Sequence, residues 1–82
     1  MKGYIRNIVK DKPYGFIRAD TGLDSIFFHK SESKLSWEDV VEAVVLGNKR
    51  LKVRFELMDG DRGPRASKVM LISDEEYKSN EM

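Results

Sequence analysis

Cysteine is absent from the chain. That excludes a disulfide framework and any zinc site built on thiolates, and nothing points to an oxidising compartment. Histidine occurs once, at His29, and a lone imidazole holds a metal only with carboxylate or thiol partners at ligand spacing. No such spacing is present, so no metal is expected. Long apolar runs are missing too. No stretch approaches a membrane span and Met1 leads directly into a strand-like pattern, so the expected location is the cytoplasm. No carboxylate pair stands in a recognisable acid–base arrangement. Gly15, Gly60 and Gly63 match neither a dinucleotide fingerprint nor a P-loop, so neither catalysis nor a cofactor is expected. Internal repeats and low-complexity segments are also lacking. The 82 residues suffice for one small domain. Without a disulfide or metal, such a domain needs a well-closed core, which favours a barrel or compact sandwich.

The formal net charge of +1 conceals an asymmetry. Residues 73–82 carry Asp74, Glu75, Glu76 and Glu81 against Lys78, a balance of −3, which leaves +4 on residues 1–72. Within that body, residues 31–46 are themselves acidic through Glu32, Glu38, Asp39 and Glu42. The rest of the body is distinctly basic, a weak electrostatic footprint of a domain that meets phosphate. The expected organisation is one domain over 1–72 and an acidic, flexible tail over 73–82.

Two segments carry most of the information: Lys12-Pro13-Tyr14-Gly15-Phe16-Ile17 and Asp24-Ser25-Ile26-Phe27-Phe28-His29. Each alternates with period two and reads as a strand with two different faces. Tyr14 and Phe16 share one face of the first, and Phe27 and His29 one face of the second. Ile17, Ile26 and Phe28 lie opposite and are apolar enough to form core. Residues 19–23 are turn-like, so the two strands form a hairpin. Soluble domains seldom leave four flat π-systems on an outer face unless something stacks on them.

The remaining pattern completes a small all-β domain. A first strand covers about 2–10, and Asp11-Lys12-Pro13 makes a turn because proline cannot continue a central ladder. The hairpin strands fall at about 15–20 and 24–29. Trp37, Val40, Val41, Val44 and Val45 recur at helical spacing, which predicts a short helix within 36–46. Ser36 and Asp39 resemble a capping box and Gly47-Asn48 a stop. Trp37 fits the apolar stripe of that helix, packed on the barrel. It also fits a loop position that would stack a base or anchor a protein partner. Leu51, Val53, Phe55 and Leu57 alternate with Lys52, Arg54 and Glu56 as a fourth strand with one buried face. A turn-rich loop at 59–64 leads to a fifth strand over 65–72. The predicted core is Ile5, Ile17, Ile26, Phe28, Val53, Phe55 and Val69. Five short strands with tight turns suggest a five-stranded barrel.

These residues resemble the bacterial cold-shock domain family. The lysine-glycine opening is matched by Lys2-Gly3, and the K-G-F-G-F-I motif by residues 12–17 with Pro13 and Tyr14 substituted. The D-V-F-V-H-F motif is matched by residues 25–30, retaining Phe27 and His29, and N-R-G-P-Q-A-x-x-V by residues 61–69. Four matches in the correct order span nearly all of 2–70. The resemblance implies an OB-fold barrel, here with a short helix inserted between strands 3 and 4, that binds single-stranded RNA or DNA. The implied contacts are stacking by Tyr14, Phe16, Phe27 and His29, and basic or loop contacts from Arg6, Lys12, Lys30, Arg62, Pro64 and Arg65. The chain departs from the family at Asn7, where tryptophan is usual, and at Ile8 and Lys30, where aromatics are usual. Those departures imply the loss of about three stacking surfaces, each on the order of 1–3 kcal/mol.

The expected function is therefore non-enzymatic single-strand binding by a monomer, competing with base pairing as a nucleic-acid chaperone or a regulator of transcription and translation. The alternative is a protein-interaction module on the same scaffold that uses the 36–46 insert. An exposed apolar helix face would favour the alternative, and valines packed on the barrel would count against it.

Overall fold

Strand alternation decides which side of each wall of this barrel is wet. The computed structural model describes residues 1–61 and 63–78. Its strands are β1 (Lys2–Ile8), β2 (Tyr14–Ala19), β3 (Ile26–His29), β4 (Lys52–Gly60) and β5 (Gly63–Leu71). They close in the order β1-β2-β3-β5-β4, with β3 and β5 parallel and the other pairs antiparallel. Closure leaves no open sheet edge. The result is the five-stranded all-β OB-fold barrel that the sequence leads one to expect.

All seven predicted core residues are buried, joined by Ile8, Ala19, Ala66, Val40 and Val44. A bulge between Ile5 and Asn7 reverses the alternation in β1. Arg6 and Asn7 both point outward, and Ile8 turns into the core. The extra residue in the β4–β5 pair falls on β5, where Lys68 adopts a φ of 52°. Bulges of this kind bend a strand and re-aim the side chains beyond them.

The connection from β3 to β4 holds the inserted helix, α1 (Trp37–Val41), which continues as a π-helical turn over Glu42–Leu46. Val40 and Val44 face the barrel, Val41 is half-buried, and Trp37 meets Phe28 edge-to-face at 5.7 Å. Trp37 thus belongs to the packed stripe. Val45, expected on that stripe, is exposed. The wider π turn is closed by Gly47 N–H donating to the Glu42 carbonyl at 2.8 Å, and within it Val44 is buried while Val45 is not. Ser36 occupies the N-cap, but its side chain makes no capping bond.

Two further expectations are revised. Leu57 is exposed although Ala66, its partner across the ladder, is buried, and beyond that pair β4 and β5 run on as a hairpin arm. The turn-rich loop shrinks accordingly: Asp59 pairs with Pro64 and Gly60 with Gly63, so both strands reach the tip. Within the acidic tail, Asp74–Lys78 forms a helical turn, α2. Arg62 and residues 79–82 lie outside the described residues. No helix among the described residues is long and apolar enough to cross a membrane.

Candidate nucleic-acid interface

The β2–β3 register places the aromatic side chains opposite one another. Tyr14 pairs with His29 and Phe16 with Phe27, while Gly15 pairs with Phe28 and Ile17 with Ile26 on the alternating inner positions. Directly opposed side chains on one sheet face are near neighbours. Phe27 lies 6.1 Å from Phe16 directly opposite, edge-to-face at 73°, and 5.3 Å from its diagonal neighbour Tyr14, tilted by 38° (ring centroids). All four platform rings are only partly buried, so each keeps a face or edge available to a ligand.

Gly15 permits this geometry. A Cβ there would stand 2.6 Å from the Asn7 carbonyl oxygen and 2.7 Å from Ile8 Cδ1, so a side chain would force β1 away from β2. At the platform's end, the Lys30 N–H donates to the Pro13 carbonyl at 2.7 Å, tying the entry of β2 to the exit of β3. Proline has no N–H, but its carbonyl remains a full acceptor. His29 is fixed by its own turn: the Ser31 N–H donates to its Nδ1 at 3.0 Å, with Ser31 Oγ at 2.9 Å. A backbone N–H can only donate, so Nδ1 accepts and the neutral ring carries its proton on Nε2. That leaves Nε2–H as the ring's hydrogen-bond donor.

A cleft of about 520 Å³ adjoins the platform. Phe16, Phe27 and Ser25 form one wall, and Gly60, Asp61, Gly63, Pro64 and Arg65 at the β4–β5 tip form the other. The parallel pairing of Phe27 with Arg65 brings the two walls together. Pro64 contributes a rigid apolar surface and Arg65 a cation, while the Asp61 carboxylate can accept hydrogen bonds from base amino groups. Asp61 and Gly63 lie within the fourth motif, but their sequence signal is that of a turn. Ser25 carries no signal of its own.

The structure does not treat the basic candidates alike. Lys12 and Lys30 are exposed beside the Tyr14–His29 end, and Arg65 lines the cleft. Arg6 is on the outer face but is ion-paired with Asp24, which reduces its availability to phosphate. Arg62 falls outside the described residues. Ile8 is part of the core, so the platform positions lacking an aromatic are Asn7 and Lys30 rather than three. A cluster on the β1–β4 edge, Tyr4 with Arg50 and Lys52, escapes sequence reasoning because pairing across the barrel assembles it. No group of three or more metal-binding side chains occurs among the described residues.

The comparisons with known proteins agree with this geometry. Residues 1–72 match the model of the 'Cold-shock' DNA-binding domain. The chain is 31% identical over 74 residues to a "Cold shock-like protein" of Aquifex aeolicus (strain VF5), an alignment covering 89% of this chain and 96% of that protein. A barrel with an outward aromatic platform, matched along nearly its whole length, places this chain in the cold-shock domain family of nucleic-acid-binding proteins.

Proposed function

We propose that the protein binds single-stranded RNA or DNA without catalysing a reaction. Bases stack on Tyr14, Phe16, Phe27 and His29, while Lys12, Lys30 and Arg65, with Arg6 and Arg62, follow the phosphates. Pro64 closes the cleft beside Phe27. The observation that carries this reading is the continuous Tyr14–Phe27–Phe16 ring contact on the outside of a barrel whose core is already filled by Phe28 and its neighbours. Packing does not require those rings, whereas stacking with unpaired bases uses them directly.

Holding bases unpaired competes with duplex formation. The protein thereby acts as a nucleic-acid chaperone or a regulator of transcription and translation, working in the cytoplasm as a monomer. Residues 1–72 form the binding unit and 73–82 an acidic appendage. The alternative, a protein-interaction module using the 36–46 insert, draws less support because Val40 and Val44 are spent on the barrel. Of its large apolar side chains only Val45 and Leu46 remain exposed, Leu46 at 79%.

A titration of short labelled oligonucleotides tests the reading. Micromolar or tighter binding to single strands, weaker binding to duplex and a marked fall with salt are the expected results. Absence of binding to either RNA or DNA at low salt overturns it.

A further inference from the structure

The outer faces of β1 and β4 carry a second charged surface, which shares with the matched motifs only the Lys2 opening. Lys2 pairs with Arg54, and Tyr4 with Lys52, across the antiparallel ladder. The Arg50 guanidinium lies 5.2 Å and Lys52 Nζ 6.0 Å from the Tyr4 ring centroid. Through the Tyr4–Arg18 and Asn7–Phe16 pairs this surface is continuous with the aromatic platform. At the usual strand spacing β4 lies about 14 Å from β3 by the β1–β2 side of the wall. A single strand a few nucleotides longer than the platform can span that distance.

The edge is already occupied by the chain's own acidic tail. Lys2 Nζ donates to the Glu76 carbonyl at 2.7 Å, and Arg54 Nη1 donates to Glu76 Oε2 at 3.4 Å. Lys52 Nζ lies 5.4 Å from the Tyr77 ring centroid. Ser73 Oγ accepts the Glu76 N–H at 3.1 Å and so sets the start of the turn. Each cation of the edge therefore meets a group of the kind a nucleotide offers: anionic or carbonyl oxygen in the place of phosphate, a flat ring in the place of a base. The Arg54–Glu76 pair is solvent-exposed, and exposed pairs of this kind are weak and readily exchanged.

We propose that Lys2, Lys52 and Arg54 form a second phosphate-binding surface for the same single strand, and that α2 occupies it as an intramolecular competitor until a longer strand displaces it. This rests on the single-strand reading above. The displacement makes the protein discriminate by strand length: a short oligomer uses the platform alone, and a longer one must evict Glu76 and Tyr77 to reach β4.

The test compares oligothymidylates of about 6 and about 12 nucleotides, within the range of OB-fold site sizes. At low salt, Glu76→Gln should bind the longer oligomer on the order of two- to fivefold more tightly and the shorter one as wild type does. The double variant Lys52→Ala/Arg54→Ala should lower the salt slope for the longer oligomer by about 1.4 and leave the shorter one unaffected. Phe27→Ala is the platform control and should weaken both. Unchanged binding of both lengths by Glu76→Gln, or an unchanged slope in the double variant, overturns the proposal while Phe27→Ala still reports on the platform. If Phe27→Ala changes neither length and Glu76→Gln still tightens the longer one, the platform reading fails and the edge stands. Wild-type protein that binds neither length overturns both.

Discussion

Phe27 and Phe28 are adjacent in the chain and occupy opposite sides of one barrel wall, so truncating each should fail in a different way. Phe28 is fully buried, packed on by Trp37. Phe28→Ala should cost roughly 3–5 kcal/mol of stability, close to the whole margin of a small domain. Phe27 touches Tyr14 and Phe16 on the outside. Phe27→Ala should leave the fold largely intact, with a smaller loss of stability than Phe28→Ala, and weaken single-strand binding by about 1–3 kcal/mol, or about tenfold to a hundredfold. Thermal melts and titrations on both variants decide it. A Phe27→Ala protein that unfolds, yet binds normally per folded molecule, would assign the platform to the wrong face. The β1 bulge supplies a second contrast. Asn7 is exposed and pairs with Phe16, whereas Ile8 is buried. Asn7→Trp should add a stack and tighten binding by about 1–3 kcal/mol. Ile8→Phe should overpack the core, destabilising by about 1–3 kcal/mol with no gain in affinity. Equal affinity gains from the two would show that the bulge is absent in solution.

Among the elements, the inserted helix separates what local pattern reveals from what the fold decides. The stripe Trp37, Val40, Val44 is readable because burial on one helix face leaves a 3.6-residue period, and those three residues do face the barrel. Val45 has the same period but misses the barrel: it shares the π turn with Val44, yet only Val44 is buried, and no side chain announces that difference. Trp37→Ala should cost about 2 kcal/mol, less than full burial would imply because the ring is only partly enclosed. Oligonucleotide binding should be unaffected. A drop in affinity without a change in stability would move Trp37 from the packing of the helix to the interface. The strands follow the same division. The β2 and β3 alternation is legible because each face has one environment, so Tyr14, Phe16, Phe27 and His29 separate cleanly from Ile17, Ile26 and Phe28. The inward turn of Ile8 comes from a bulge, and the exposure of Leu57 opposite buried Ala66 marks where the β4–β5 arm leaves the core; both are set by the partner strands. The cleft at Ser25 and Asp61 and the Tyr4 cluster depend on pairings between distant strands, β3 with β5 and β1 with β4. Such pairings leave no short-range trace.

At the scale of the whole molecule, a net charge of +1 gives little long-range attraction for a polyanion, so affinity has to come from where the charges and rings are placed. Lys12, Lys30 and Arg65 adjoin the platform and are exposed; Arg6 is engaged by Asp24. Three phosphate contacts on a single strand correspond to a slope of about −2 in log affinity against log salt. Raising salt from about 50 to about 200 mM should then weaken binding by about 20-fold. The stacking contribution is insensitive to salt, so residual affinity should persist at high salt and fall by a further tenfold to a hundredfold, on the order of one stack, in Phe27→Ala. Duplex of the same sequence presents equal or greater charge but hides its base faces, so it should bind more weakly than single strand at every salt concentration. The difference should grow as salt removes the shared electrostatic part. Fluorescence titrations of single strand and duplex across that salt range would check all of this. Duplex binding as strong as single-strand binding, with the same slope, would mean that charge alone holds the ligand and that the outward rings serve some other purpose.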